Sequence, residues 1–188
     1  MVPIFVLIMT SEQNYSYHYA ILEKNIEFNK KSLFISYTSG TTGSPMAISH
    51  DLKLSRSFSA AYEVRCRRWA GVNYKMKRAM IGGRPIMKGN KSKPPFWRYN
   101  WAEDQLYMSA FHISSYTAEL YARKLNSFKP KYIVGYSSAI NSLAQIIIKK
   151  KINLNFNPIS VLCSSDMLTK KMRQNIELAF NSKVFDSY

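Results

Sequence analysis

Acidic residues are scarce in this chain: 11 Asp and Glu stand against 27 Lys and Arg over 188 residues, a formal net charge of +16. From Val64 to Ala102 there is none, while eleven basic residues occur there: Arg65, Arg67, Arg68, Lys75, Lys77, Arg78, Arg84, Lys88, Lys91, Lys93 and Arg98. Cysteine is nearly absent as well. The two present, Cys66 and Cys163, have no C-x-x-C spacing. That excludes a disulfide framework and fits a reduced, cytoplasmic protein. The three histidines (His18, His50, His112) lie far apart and form no ligand motif, so no metal site follows from spacing. No apolar run approaches the roughly 20 residues that span a bilayer. The opening Met1–Met9 is apolar but short, and no positive segment precedes it, which argues against a signal peptide. There is no internal repeat and no low-complexity tract.

What the chain does have is a polar glycine run, Tyr37-Thr38-Ser39-Gly40-Thr41-Thr42-Gly43-Ser44-Pro45, following the apolar Leu33-Phe34-Ile35. Glycine permits close backbone approach and positive φ, so amide N–H groups can converge on an anion. Rotatable hydroxyls add donors for phosphate oxygens. No Lys follows Gly43, so the Walker pattern is excluded. After a strand at 33–35, the loop is expected at a sheet edge.

The acid-free stretch carries interleaved aromatics (Trp69, Tyr74, Phe96, Trp97, Tyr99, Trp101), and Pro94-Pro95 breaks any helix there. Basic residues with aromatics can grip phosphodiesters and stack bases. They serve equally for a nucleotide, a CoA tail or an anionic carrier, or as a plain solvated surface. No nucleic-acid-binding motif accompanies them.

Apolar runs of strand length alternate with helical periods. Ser49 is placed to cap a helix from His50 to Trp69 with Leu54, Phe58, Tyr62 and Cys66 on one face. Strands are expected at Arg78–Ile81, Gln105–Ser109, Tyr132–Gly135, Ile159–Cys163 and Lys183–Phe185. Residues 84–101 read as a long Pro-broken connection. Ser114 or Ser115 is expected to cap a helix carrying Leu120, Tyr121 and Leu125. A second helix opens at Ser137 or Ser138 with Ile140, Leu143, Ile147 and Ile148 inward, and a third covers Thr169–Phe180. Repeated strand–helix–strand units imply an α/β fold, a mostly parallel sheet covered by helices. Ligands in such sheets gather at the carboxyl ends of the strands. Here those ends lead into Gly40–Gly43, Gly82–Gly83, Gly135–Ser138, Ser164–Asp166 and Asp186–Tyr188.

The run Tyr37–Pro45 resembles the phosphate-binding loop of the adenylate-forming superfamily, which includes acyl-CoA synthetases and adenylation domains. Met46 stands where many members carry Lys, pointing to the phenylacetate–CoA ligase branch and its CapK-like proteins of capsular polysaccharide biosynthesis. Ser109-Ala-Phe-His, Lys124-Leu-Asn-Ser-Phe-Lys-Pro, Ile133-Val-Gly-Tyr-Ser-Ser, Leu162-Cys-Ser-Ser-Asp and Val184-Phe-Asp-Ser-Tyr are similar to that branch in order and spacing. The resemblance covers residues 33–188. It implies an ATP-dependent ligase that joins a carboxylic acid to AMP and passes the acyl group to CoA or another acceptor. Thr38, Ser39, Gly40, Thr41, Thr42 and Gly43 would hold the pyrophosphate end of ATP. Ser164, Ser165, Asp186 and Tyr188 would build the adenine site, and His112, Tyr136 and Ser137 would neighbour the acyl pocket.

The same resemblance implies a partial domain. Residues 1–32 read as a shortened N-terminal segment and 33–188 as part of the large AMP-binding domain. The Gly-x-Thr-Glu after the Tyr, whose Glu helps hold Mg2+, the ribose-binding Asp and the small domain with its catalytic Lys are expected beyond Tyr188. The family's rate comes from charge stabilisation by magnesium and cations. This span alone is therefore expected to be inactive. The rival from another class is a catalytically dead basic module that docks on RNA or an acidic polysaccharide. A decayed gene product with no stable fold is a third.

Overall fold

The computed structural model describes residues 33–37, 47–84, 86 and 93–187. Two compact units divide the chain, residues 1–59 and 60–188. In the first, β1 (Leu33–Tyr37) pairs antiparallel with β2 (Ala47–Asp51), Leu33 opposite Asp51 and Tyr37 opposite Ala47. The glycine loop joins these strands in sequence and lies outside the described residues. Two expectations change here. β1 belongs to this two-stranded sheet and not to the parallel one. Residues 47–51 return as a strand, so helix α1 starts at Leu52 (Leu52–Tyr62), and Asp51 rather than Ser49 serves its first turn, its carboxylate 2.7 Å from the Lys53 amide. A single turn of π-helix, Glu63–Arg68, follows α1.

The second unit is built on a six-stranded sheet in the order β4-β5-β3-β6-β7-β8. The strands are β3 (Arg78–Gly82), β4 (Trp97–Asn100), β5 (Gln105–Ser109), β6 (Tyr132–Tyr136), β7 (Ser160–Ser164) and β8 (Lys183–Asp186). All pairings are parallel except β4 with β5. β4 falls inside the 84–101 stretch that reads from sequence as connection. Its alternation of Trp97 and Tyr99 is too short to stand out beside two prolines.

Helices α2 (Ala118–Phe128), α3 (Ser137–Lys150) and α4 (Lys170–Phe180) complete the unit. Tyr121, Leu125 and Phe128 of α2 and Ile140, Leu143, Ala144 and Ile147 of α3 recur at helical spacing and join one core with Ala79, Ile81, Leu106, Met108, Ile133, Val161 and Cys163 of the strands. α2 begins later than its serines suggest. Ser114 and Thr117 bond each other in the preceding turn, and the helix starts at Ala118. The opposite face of the sheet holds a smaller cluster, Ala70, Val72, Tyr132 and Leu162, joined by Cys66, Met76, Val134 and Phe185.

At Gly135, β6 pairs with Ile81 of β3. A Cβ there would lie 1.9 Å from the Ile81 carbonyl oxygen, a position that only glycine can fill. The contact seats the centre of the sheet and the loop that follows it.

Candidate functional site

The five parallel strands all end on the same side of the second unit. In sheet order the loops there are Ser109–His112, Gly82–Gly83, Tyr136–Ser138, Ser164–Asp166 and Asp186–Ser187. The row from β5 to β8 is four strand spacings of about 4.8 Å, roughly 19 Å long. His112 is at one end and Asp186 at the other.

At the β5 end, Ser109 Oγ lies 2.7 Å from His112 Nδ1, and the imidazole stacks on Phe96 with ring centroids 4.8 Å apart. The Tyr121 hydroxyl donates to the Ser109 carbonyl at 2.7 Å. Burial pushes the Tyr121 phenol far above its ordinary range, so it remains a neutral donor. In the next loop, a methyl on Gly83 would meet Tyr136 Oη at 3.0 Å, its Cε2 at 3.1 Å and Phe111 Cζ at 3.5 Å. The bare glycine thus leaves just enough room for two aromatic rings that are themselves exposed, Tyr136 by 37% and Phe111 by 74%.

The middle of the row is tied by Asp166. Its carboxylate accepts from the Ser137 amide at 2.5 Å and the Ser138 amide at 3.0 Å, while Ser137 Oγ donates to the Asp166 carbonyl at 3.1 Å. These are opening amides of α3, which have no partner within the helix. Partial burial works against the charge on Asp166. Donation from the Ser138 hydroxyl and from the Ser138 and Ser137 amides outweighs it, holding the carboxyl below its ordinary value. Ser165, the residue before, sits at φ 71° in the left-handed region. At the far end, the Ser187 amide and hydroxyl both donate to the Cys163 carbonyl, at 2.9 and 3.0 Å, and Tyr62 Oη is 3.4 Å from Ser187 Oγ. Beside Asp186 an open groove runs along β8, walled by Trp69 and Phe185 in edge-to-face contact at 4.9 Å.

Of the residues singled out from sequence, His112, Tyr136, Ser137, Ser164, Ser165 and Asp186 therefore fall in one row. Ser137 is fully buried and its amide and hydroxyl are both engaged by Asp166. Thr38, Ser39, Gly40, Thr41, Thr42, Gly43 and Tyr188 lie outside the described residues. Ser109, Phe111 and Trp69 are neighbours of the row that the sequence does not single out as site residues, whereas Gly83 belongs to the Gly82–Gly83 strand-end loop that it does. Among the described residues no three His, Cys, Asp or Glu side chains converge to hold a metal ion. No helix among them is long and apolar enough to cross a membrane.

The basic stretch has partners inside the fold. Arg78 is buried and donates to the Tyr74 carbonyl at 2.8 Å, to Glu103 at 2.7 Å and to Gln105 Oε1 at 2.7 Å. Arg67 pairs with Glu63 at 3.2 Å, Lys77 Nζ lies 4.4 Å from the Phe128 ring centre, and Arg84 covers Tyr107 at 5.2 Å. Arg78 and Arg98 thus belong to β3 and β4 themselves.

No protein-family model matches the chain. It is 36% identical over 168 residues to protein CapK of Staphylococcus aureus, a match covering 89% of this chain and 37% of that protein. Among solved structures it is similar to an open conformation of 2-hydroxyisobutyryl-CoA ligase in complex with 2-HIB-AMP and CoA, with a TM-score of 0.54 at 16% identity over 85% of this chain and 36% of that one. An anthranilate CoA ligase in complex with anthranoyl-AMP gives a TM-score of 0.52 at 14% identity, over 81% and 28% of the two chains. At these identities the structural likeness speaks for the fold. The chain spans little more than a third of CapK and of the first ligase. Over most of its length this chain is a CapK homologue, built on the fold of the adenylate-forming CoA ligases.

Proposed function

We propose that the chain forms part of the nucleotide and acid site of an ATP-dependent adenylate-forming ligase, phenylacetate–CoA ligase-like, acting in the cytoplasm. The observation that carries this is the row of loops at the carboxyl ends of β5, β3, β6, β7 and β8. Aromatic and imidazole side chains occupy one end, and short polar side chains with a carboxylate the other. A row roughly 19 Å long has room for an acid at one end and a nucleotide at the other. The relation to CapK and the fold shared with ligases that hold acyl-AMP support the same reading.

In this reading His112 and Tyr136 face the carboxylic acid, with Ser137 holding the Tyr136 loop from behind. Ser164, Ser165, Asp186 and Tyr188 take the adenine. Thr38, Ser39, Gly40, Thr41, Thr42 and Gly43 hold the β- and γ-phosphates through amide and hydroxyl donors. The acid's carboxylate attacks the α-phosphorus of ATP and pyrophosphate departs, leaving acyl-AMP for transfer to CoA or another acceptor. Magnesium would supply charge neutralisation on the phosphates. The described residues form no cluster fit to hold it, so no step is assigned to them through the metal. The remaining catalytic groups belong, in this proposal, to the part of a CapK-length protein that this chain does not span.

The test is ATP–pyrophosphate exchange on the CapK-length protein with aromatic, hydroxylated and aliphatic acids. Exchange stimulated by at least one acid is expected. If no acid stimulates it, adenylation is the wrong reaction.

A further inference from the structure

Ser109 is the last residue of β5 and is 2% exposed. Every polar atom it has is assigned. Its amide donates to the Phe96 carbonyl at 3.0 Å, and its carbonyl accepts from the Tyr121 hydroxyl at 2.7 Å. Its Oγ meets His112 Nδ1 at 2.7 Å and has no other hydrogen-bond partner among the described residues. The imidazole is fixed as well. It lies 16° from parallel with the Phe96 ring, and the His112 carbonyl accepts from Thr117 Oγ1 at 2.5 Å.

A serine hydroxyl carries one proton, and a neutral imidazole carries one proton on one of two nitrogens. If Nδ1 bore the hydrogen, it would donate to Ser109 Oγ. The serine proton would then be buried with no acceptor, the arrangement that proteins avoid. With the hydroxyl donating to Nδ1, both groups are satisfied and the ring hydrogen moves to Nε2.

We infer that Ser109 is a positioning residue that holds neutral His112 as the Nε2–H tautomer, so that His112 presents a hydrogen-bond donor to a carboxylate oxygen of the acid at the β5 end of the row. The donor role rests on the ligase reading above, whereas the tautomer does not. A donor at that point orients the acid's carboxylate and does not remove a proton. His112 is thereby assigned to binding, not to general base catalysis.

Long-range 1H–15N correlation spectra of the 15N-histidine-labelled 188-residue chain test the tautomer directly. At a pH where His112 is neutral, Nδ1 should resonate as an unprotonated acceptor and Nε2 as N–H, with a preference of about tenfold or more, the scale of one hydrogen bond. S109A should raise the ratio of the Nδ1–H to the Nε2–H form about tenfold, since the loss of that bond removes the bias. S109T should restore the wild-type pattern. Benzoate and acetate titrations should move the His112 Nε2 signal in wild type, and less in S109A.

A wild-type spectrum with hydrogen on Nδ1 would overturn the proposal without any variant. An S109A tautomer ratio equal to wild type would remove Ser109 from the role. A His112 signal unmoved by either carboxylate would remove the donor role. Failure of pyrophosphate exchange with every acid would instead sink the ligase reading and leave the tautomer result standing.

Discussion

The Asp166 carboxylate holds the Ser137 amide at 2.5 Å, fastening the loop after β7 to the first turn of the helix after β6. One side chain thereby does for α3 what a capping residue within the helix ordinarily does, and it fixes Ser164 and Ser165 beside Tyr136. D166A should cost about 1–2 kcal/mol, the range for a lost cap. D166N, which keeps one acceptor oxygen, should cost less. Urea unfolding monitored by circular dichroism measures both.

The same contact sets a pH dependence. The folded carboxyl titrates below its ordinary value because amide and hydroxyl donation outweighs burial. The unfolded chain therefore binds the proton more readily, and stability falls as pH falls. The contribution is complete above the unfolded value near 4 and fades as pH drops through the lower folded value. Wild type minus D166N stability should slope downward across that acidic window and stay flat above it. A difference that stays constant down to full protonation would show that the charge on Asp166 contributes nothing.

How far the sequence reveals these arrangements depends on the range of the interaction. The parallel core strands announce themselves as apolar runs, and α3 and α4 through their helical spacing, because burial writes directly into residue type. β2 did not, since Ala-Ile-Ser-His-Asp follows a loop and reads as the start of the next helix until Leu33–Tyr37 pairs with it. In the candidate site, Ser164, Ser165 and Asp186 were visible as polar residues after strands. The link from Asp166 to Ser137 and the packing of Tyr136 against Gly83 are not visible, because each depends on a partner in another loop that no local pattern names.

Gly135 tests the seating of the sheet. With the Ile81 carbonyl oxygen 1.9 Å from any added Cβ, G135A must push β6 away from β3. A loss of about 3 kcal/mol or more is expected, beyond ordinary overpacking because backbone and not a side chain must yield. Denaturation midpoints decide it. A variant as stable as wild type would show that β6 and β3 are not this close.

Gly83 lies under the same loop but should respond differently. Its obstruction is the ring of Tyr136, which is exposed and can swing outward. G83A should leave stability within about 1 kcal/mol. In the CapK-length protein it should raise the KM for the acid in pyrophosphate exchange and leave kcat nearly unchanged, because in the proposed reading Tyr136 faces the bound acid and is given no role in the chemistry. A loss confined to kcat would place Gly83 elsewhere in the mechanism.

The two thiols should separate cleanly. Burial pushes the Cys163 thiol up to about 12, so almost no thiolate forms at neutral pH, and the group lies in the core under α3. Cys66 is only half-buried. Iodoacetamide at neutral pH should modify Cys66 alone in the folded chain and both residues in denaturant, as read by intact mass and peptide mapping. Native labelling of Cys163 at the rate of Cys66 would mean that the core around β7 opens readily.

Among the described residues β8 is an outer strand of the six-stranded sheet. The Val184 amide donates to Glu177 Oε1 at 3.2 Å, and the Val184 carbonyl accepts from Arg173 Nη1, with Arg173 and Glu177 3.9 Å apart one turn along α4. Both backbone groups of Val184 point away from β7 and are occupied by side chains where a further strand would bind. An open parallel edge invites pairing with another chain, and charged cover is one way to block it. The ion pair itself is about 40% exposed at each end and adds little stability. Its effect should therefore show in exchange and association more than in unfolding. E177A should speed hydrogen exchange at the Val184 amide about tenfold, the scale of one hydrogen bond. R173A/E177A should self-associate in sedimentation velocity at concentrations where wild type does not. Unchanged exchange at Val184 in E177A would mean that the amide is shielded by packing and not by the carboxylate.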